Sequence, residues 1–235
     1  MKSQILRKIE KSLVVSVQTS EHNPLHSKEH MVLLAECSAI AGCTSFRVDS
    51  PEHINAIKKA LPDSLIIGIW KVPYPDCEVM ITPTMKEVEA LVACGIDILA
   101  TDGTDRINPD GKTTYELIRQ IKQQYPGLVV MADVATVEDA IASQKAGADI
   151  LSTTLRGYTE NTKQYQSDDC DISFIRELKE RTSCFLMAEG KLWTRDDAVT
   201  ALKAGADGVV IGTAINNPKC ITERFLTAVN KLKSN

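Results

Sequence analysis

Several polar residues sit where apolar runs stop. Lys71 follows Ile66-Ile67-Gly68-Ile69-Trp70, and Glu189 follows Phe185-Leu186-Met187-Ala188. Asp133 closes Val129-Val130-Met131-Ala132, Asp102 closes Ile98-Leu99-Ala100-Thr101, and Gln18 follows Leu13–Val17. Thr153 and Thr154 follow Ile150-Leu151-Ser152, and Arg47 lies within Phe46–Asp49. A lysine at the end of a buried strand loses hydration, which lowers its pKa and makes it a candidate base or Schiff-base amine. A glutamate facing the same cavity is the candidate partner acid. The alternative for Lys71 and Glu189 is a structural ion pair across that cavity. Asp133 suits orienting and acid/base work equally. Asp102 suits the site or a cap on the loop that follows it.

Residues so far apart in the chain meet only if the strands that carry them run side by side in one direction. An internal repeat supplies such strands. Thr84, Thr136 and Thr194 are each followed eleven residues later by glycine (Gly95, Gly147, Gly205), then by Asp97, Asp149 or Asp207 and an apolar run. Threonine is a good helix N-cap. Acidic residues follow in the first turn (Glu87, Glu138, Asp196-Asp197), where the helix dipole favours them. The glycine stops the helix. The remaining apolar runs complete a set of strands at Leu13–Gln18, Phe46–Asp49, Leu65–Lys71, Ile98–Asp102, Leu128–Asp133, Ile150–Thr153, Phe185–Glu189 and Gly208–Ile211, with helices between them. Short, continuously apolar strands suit a parallel sheet covered on both faces. Eight strand–helix alternations in 235 residues predict an α/β fold, a single (β/α)₈ TIM barrel with parallel strands, as one domain over residues 1–235. No G-x-G-x-x-G follows the first strand, which speaks against a doubly wound dinucleotide fold.

In such a barrel the polar strand ends line one mouth, and the last two loops commonly hold phosphate. Here these loops carry Gly190-Lys191 and Gly212-Thr213. Glycine lets backbone approach an anion, and a short helix after Gly212 would aim N–H groups at it. The plain alternative is that both glycines only make tight turns. His22, His26 and His30 have a spacing of four, but Pro24 breaks the helix that would stack them, so they read as a loop and no metal site is expected. Trp70 and Trp193 suit packing as well as ligand stacking.

Composition narrows the partners. A net charge of −4, from 27 basic and 31 acidic residues, argues against nucleic acid. Seven cysteines without a C-x-x-C pair argue against a disulfide framework or thiolate zinc and suit a cytoplasmic protein. Early charges at Lys2, Arg7 and Lys8 do not suit a signal peptide, and no apolar stretch approaches the ~20 residues of a membrane span.

From about Ser12 to Thr227 the chain resembles the bacterial N-acetylmannosamine-6-phosphate 2-epimerase family. The resemblance rests on Leu13-Val14-Val15-Ser16-Val17-Gln18, Pro24-Leu25-His26-Ser27, Ile81-Thr82-Pro83-Thr84, Met131-Ala132-Asp133, Ser152-Thr153-Thr154-Leu155 with Gly157-Tyr158-Thr159, Ala188-Glu189-Gly190, and Ile221-Thr222-Glu223-Arg224-Phe225, in that order. It implies a sugar-phosphate substrate, epimerised at C2 by proton transfer in sialic acid breakdown, with no metal or organic cofactor. It implies Lys71 and Glu189 as the acid/base pair. It implies Gln18, Arg47 and Asp133 on the substrate side, with Thr153 at the same mouth, and phosphate on the Gly190-Lys191 and Gly212-Thr213 loops. A homodimer is expected, as many barrels pair through outer helices. The chain departs from the family at Asn217, where arginine is usual, and at Thr213, where a second glycine is usual. It departs also at Val48-Asp49 and Val72-Pro73. Losing one charged contact to an anion costs about 1.5–3 kcal/mol. Those departures keep open a changed substrate preference, and Asn217 a sugar-phosphate sensor without turnover; a further alternative is another phosphate-barrel reaction using Lys and Glu, a ring closure or a Schiff-base lyase.

Overall fold

The Thr–Gly–Asp repeat lays down a closed ring of strands. The computed structural model describes residues 2–232. Its strands are β1 (Leu13–Val17), β2 (Ser45–Asp49), β3 (Leu65–Ile69), β4 (Ile98–Asp102), β5 (Val129–Asp133), β6 (Ile150–Ser152), β7 (Phe185–Glu189) and β8 (Gly208–Ile211). They pair in parallel in sequence order, and β8 closes on β1. The helices are α1 (Lys2–Ile9), α2 (Lys28–Ile40), α3 (Pro51–Ala60), α4 (Met85–Ala93), α5 (Thr114–Gln124), α6 (Val137–Ala146), α7 (Ile172–Arg181), α8 (Arg195–Lys203), α9 (Thr213–Asn216) and α10 (Pro218–Lys231).

Strand side chains alternate between two apolar layers, as a period of two requires. Val130, Ala132, Leu186 and Ala188 face the helices, whereas Val129, Met131, Ile67, Ile69 and Met187 fill the barrel interior. Extending that parity upward puts Asp133, Lys71 and Glu189 on the inner side at the C-terminal rim.

Each repeated residue has one structural task. Thr84, Thr136 and Thr194 cap α4, α6 and α8, and each forms a reciprocal capping box, with Glu87, Asp139 and Asp197. In α6 Glu138 lies in the first turn as expected, and the box partner is Asp139, because the box needs the third helical position. Gly147 has φ of +108°, and a Cβ there would sit 3.1 Å from Lys122 Cγ. The three aspartates stitch the opposite rim. Asp97, Asp149 and Asp207 accept the backbone N–H of Ile66, Val130 and Leu186 at 2.9, 3.0 and 2.8 Å. Asp207→Ala orphans the Leu186 N–H, and the expected loss is about 1–3 kcal/mol. A lowered thermal midpoint for Ala and a smaller one for Asn, which keeps an acceptor, would verify this. The partly exposed ion pair of Asp207 with Lys179 adds little.

Beyond one-residue shifts at the ends of β1, β2 and β5, three features differ from the sequence reading. β3 ends at Ile69 because the chain then pairs with a returning segment: Thr82 N–H donates to Trp70 O, Val72 N–H donates to Met80 O, and Lys71 bridges Ile81 in antiparallel fashion. β6 ends at Ser152, and Thr153–Leu155 form a 3₁₀ turn. α1 was not expected. Its Ile9 is fully buried at the base of the barrel interior, with Ile5 and Leu6 packed on the same cluster.

Candidate active site

The rim of β2, β5 and β7 carries a buried charge cluster. Arg47 points inward from β2 and is 1% exposed, and Asp133 at the end of β5 is 0% exposed. The guanidinium grips Asp133 with two bonds, Nη1 to Oδ1 at 3.0 Å and Nη2 to Oδ2 at 2.5 Å. Its Nη1 also donates to Glu189 Oε2 at 2.6 Å. Such bidentate pairs fix geometry as well as charge. Burial opposes the Arg47 charge, but Asp133 and Glu189 outweigh it and hold the guanidinium pKa above its usual value.

Glu189 shares this one arginine with Asp133. Burial pushes its carboxyl pKa up, Arg47 pulls it down, Asp133 pushes it up again, and the result lies above the usual carboxylate value. Two threonines hold this group. Thr154 Oγ1 donates within reach of both Asp133 Oδ1 (2.8 Å) and Glu189 Oε2 (3.0 Å). Thr153 Oγ1 donates to Glu189 O at 2.9 Å and accepts from Glu189 N–H at 3.0 Å, so it braces the β7 backbone. Of the two, sequence reasoning chose Thr153. The strand parity would have chosen Thr154, which shares its side with Ile150 and Ser152.

Lys71 belongs to a separate arm. Its Nζ donates to Gln18 Oε1 at 2.7 Å, and Gln18 Nε2 donates to Ser16 Oγ at 2.8 Å. Among the described residues no ion pair joins Lys71 to Glu189; the carboxylate is taken by Arg47 and the ammonium by an amide. The structural ion pair is therefore not formed. Lys71 is also exposed, so the burial expected of it is absent. The reason is the break in β3 before it.

Other residues take the quieter alternatives. Asp102 accepts from Thr104 N–H (2.9 Å), Thr104 Oγ1 (2.6 Å) and Arg106 Nη2 (2.5 Å), so it staples its own loop. His26 lies edge-on to His53 at 5.4 Å, and no cluster of three metal-ligating side chains occurs among the described residues. Trp193 Nε1 donates to Asp168 O, its ring carries Arg224 at 4.5 Å, and Trp70 packs on the core.

Of the last two loops, Gly190-Lys191 shares a pocket with Glu189, whereas Gly212-Thr213 lies against Ser16 of β1. Gly190 has φ of +107° with open space where a Cβ would stand. Lys191 follows at φ 60°, its Nζ 5.2 Å from the Tyr158 ring centre. Thr153, Arg156, Tyr158, Glu189, Gly190 and Lys191 share one pocket. Gly212 lets β8 approach β1, since a Cβ there would meet Ser16 Cβ at 3.0 Å. Thr213 opens α9, and Asn216 Nδ2 ties that turn to Ser16 O at 2.9 Å. Asn217 accepts from Cys220 N–H at 3.1 Å and so caps α10. The position where arginine was expected thus serves the backbone.

A closed parallel barrel with an arginine-bound acid pair and a lysine at its C-terminal rim has the build of a (β/α)₈-barrel enzyme. A family model described as "Putative N-acetylmannosamine-6-phosphate epimerase" matches residues 31–231. The chain belongs to this N-acetylmannosamine-6-phosphate 2-epimerase family. A relative of that name from Caldanaerobacter subterraneus subsp. tengcongensis is 41% identical, over 98% of this chain and 96% of the relative. Another from Borreliella burgdorferi is 40% identical, over 97% and 99%. The solved structure of the N-acetylmannosamine-6-phosphate 2-epimerase from Clostridium perfringens superposes with a TM-score of 0.90 at 36% identity, over 95% and 96% of the two chains. A thiamine phosphate pyrophosphorylase from Pyrococcus furiosus shares the fold alone, with a TM-score of 0.61 at 18% identity.

Proposed function

We propose that this chain interconverts N-acetylmannosamine 6-phosphate and N-acetylglucosamine 6-phosphate by moving a proton at C2, in amino-sugar and sialic acid catabolism. The carrying observation is the division of partners at the rim: Arg47 holds the carboxylates of Asp133 and Glu189, while among the described residues the Lys71 Nζ bonds to the Gln18 amide. Among the described residues no carboxylate forms an ion pair with Nζ, so the amine, in its neutral form, is free to take a proton from carbon. In the reaction, the C2–H becomes acidic when C1 is an open-chain aldehyde. Lys71 takes that proton, and the C2–H electron pair moves into a C1–C2 double bond as the carbonyl oxygen gains charge. Donors near that oxygen stabilise it. Glu189, whose carboxyl favours the protonated form more than an ordinary glutamate, returns a proton to the opposite face of C2. Gln18, Arg47, Asp133 and Thr153 shape the substrate side. The phosphate lies on Gly190-Lys191 and Gly212-Thr213; open space at Gly190 and the Lys191 cation favour an anion on the first of these loops.

The test is a direct one. Purified protein with N-acetylmannosamine 6-phosphate is followed by proton NMR. Appearance of N-acetylglucosamine 6-phosphate, approached also from the other side, supports the reading. Binding without turnover would instead favour a sensor, which the Asn217 departure had kept open. Borohydride trapping of substrate on Lys71 would favour a Schiff-base route.

Because Glu189 must be protonated to donate, kcat/KM is expected to fall as pH rises through its folded pKa, which lies above the usual value. In Glu189→Gln that limb disappears and kcat drops by about 10²-fold or more. An unchanged high-pH limb in the variant would assign it to another group.

The same reading includes a homodimer. α10 buries none of its residues; Phe225, Leu226 and Val229 are exposed along one stripe of it, and Leu232, just past its end, is exposed too. Leu33 and Ile40 of α2 and Val199 of α8 are exposed as well. A second copy of the chain is the partner read for these apolar faces. Light scattering should give twice the 25.8 kDa chain mass, and Phe225→Glu with Val229→Glu should shift it toward the monomer. A monomer for the unaltered chain sinks the dimer.

A further inference from the structure

We propose that Asp49 is a positioning residue for Lys71, replacing with its side chain the backbone bond that β2 no longer supplies. The inference rests on the reading of Lys71 as the C2 base. The last backbone bond on this side joins Ser50 N–H to Ile69 O at 2.9 Å, just where β3 ends. Lys71 then lies beyond the ladder and bridges only the returning segment at Ile81. On the side facing β2, its N–H donates to Asp49 Oδ1 at 3.0 Å. The carboxylate thus extends the β2–β3 ladder past its end. Asp49 is itself well placed to do so. It stands two residues after Arg47, on the same inward side of β2, and pairs in register with Ile69. Its carbonyl oxygen lies 3.1 Å from His53 Nδ1, which fixes the strand end to α3. Lys71 is therefore held at three points: its N–H by Asp49, its strand neighbour Ile81, and its Nζ by Gln18. Without Asp49 the backbone that carries the amine is free on one side. A small misplacement of a reacting group is expensive, up to about 10²-fold for 1 Å.

The experiment compares Asp49→Ala with Asp49→Asn, which keeps an oxygen acceptor for the Lys71 N–H. In the epimerisation assay, Asp49→Ala should lose about 10- to 100-fold in kcat with KM within about twofold, and Asp49→Asn should recover most of it. Where alanine lowers the folded yield, Asp49→Val removes the same bond with a residue that favours strands. A parallel readout does not need turnover: pulsed acylation of Lys71 with acetic anhydride, read by peptide mass spectrometry. The Lys71 rate should change in Asp49→Ala and stay near the parent value in Asp49→Asn. Equal rates in all three proteins, a parent-like kcat in Asp49→Ala, or an Asn variant as damaged as the Ala variant would each overturn the proposal. A parent enzyme that leaves C2 untouched would instead overturn the role given to Lys71, while the acylation rates still report on Asp49.

Discussion

Replacing Lys71 with methionine is expected to lower kcat by about 10²–10⁴-fold, the usual range for loss of a general base, with little change in KM. Methionine keeps the length and much of the volume of the side chain but cannot take a proton. The fold should be indifferent, because Lys71 is exposed and its side chain makes one bond, to Gln18. An unaltered thermal midpoint together with the kinetic loss would separate chemistry from stability. Stopped-flow or NMR progress curves measure the effect. Retention of more than about a tenth of the parent kcat would move the base to another residue.

Removing Asp133 should be the most damaging substitution for stability. Its carboxylate takes two of the three bonds that Arg47 makes, and both side chains are cut off from water. Breaking one member of a buried ion pair strands the other, at a cost of about 3–5 kcal/mol. Asp133→Ala is therefore expected to lose that much by chemical denaturation, a large share of an ordinary domain's stability. The loss should be largely repaired in Arg47→Met/Asp133→Leu, which removes both charges and refills the space. Activity should not return in that double variant, since Glu189 would have lost the Arg47 bond that aims it. A double variant as unstable as Asp133→Ala would show that shape, rather than the stranded charge, carries the cost.

Much of this architecture was visible as local physics. Thr84, Thr136 and Thr194 announced helix starts, and the glycines eleven residues on announced their ends. The apolar runs that follow had no room for anything but strands. Convergence of Gln18, Arg47, Lys71, Asp133 and Glu189 at one rim followed from that order, and the structure brings them there. What stayed hidden is what depends on side-chain partners. Arg47 was legible as a polar residue in a strand, but not as the centre that binds two carboxylates. Lys71 was expected to be buried because its strand was drawn two residues too long; the return of the chain through residues 80–82 takes over its pairing. Thr154 was passed over for Thr153 although the alternation of inward residues favoured it. Asp97, Asp149 and Asp207 were read only as part of a spacing, yet each ties a neighbouring strand's N–H at the far rim. α1 was missed because its apolar face is brief: Ile5, Leu6 and Ile9 among charges.

The central claim is proton transfer at C2 through groups that exchange with water. The most direct measurement is proton and deuterium NMR of the reaction in deuterated water. The account predicts that N-acetylglucosamine 6-phosphate formed from N-acetylmannosamine 6-phosphate carries deuterium at C2, and that Lys71→Met all but abolishes both label and turnover. Epimerised product that keeps its original hydrogen at C2 would contradict it.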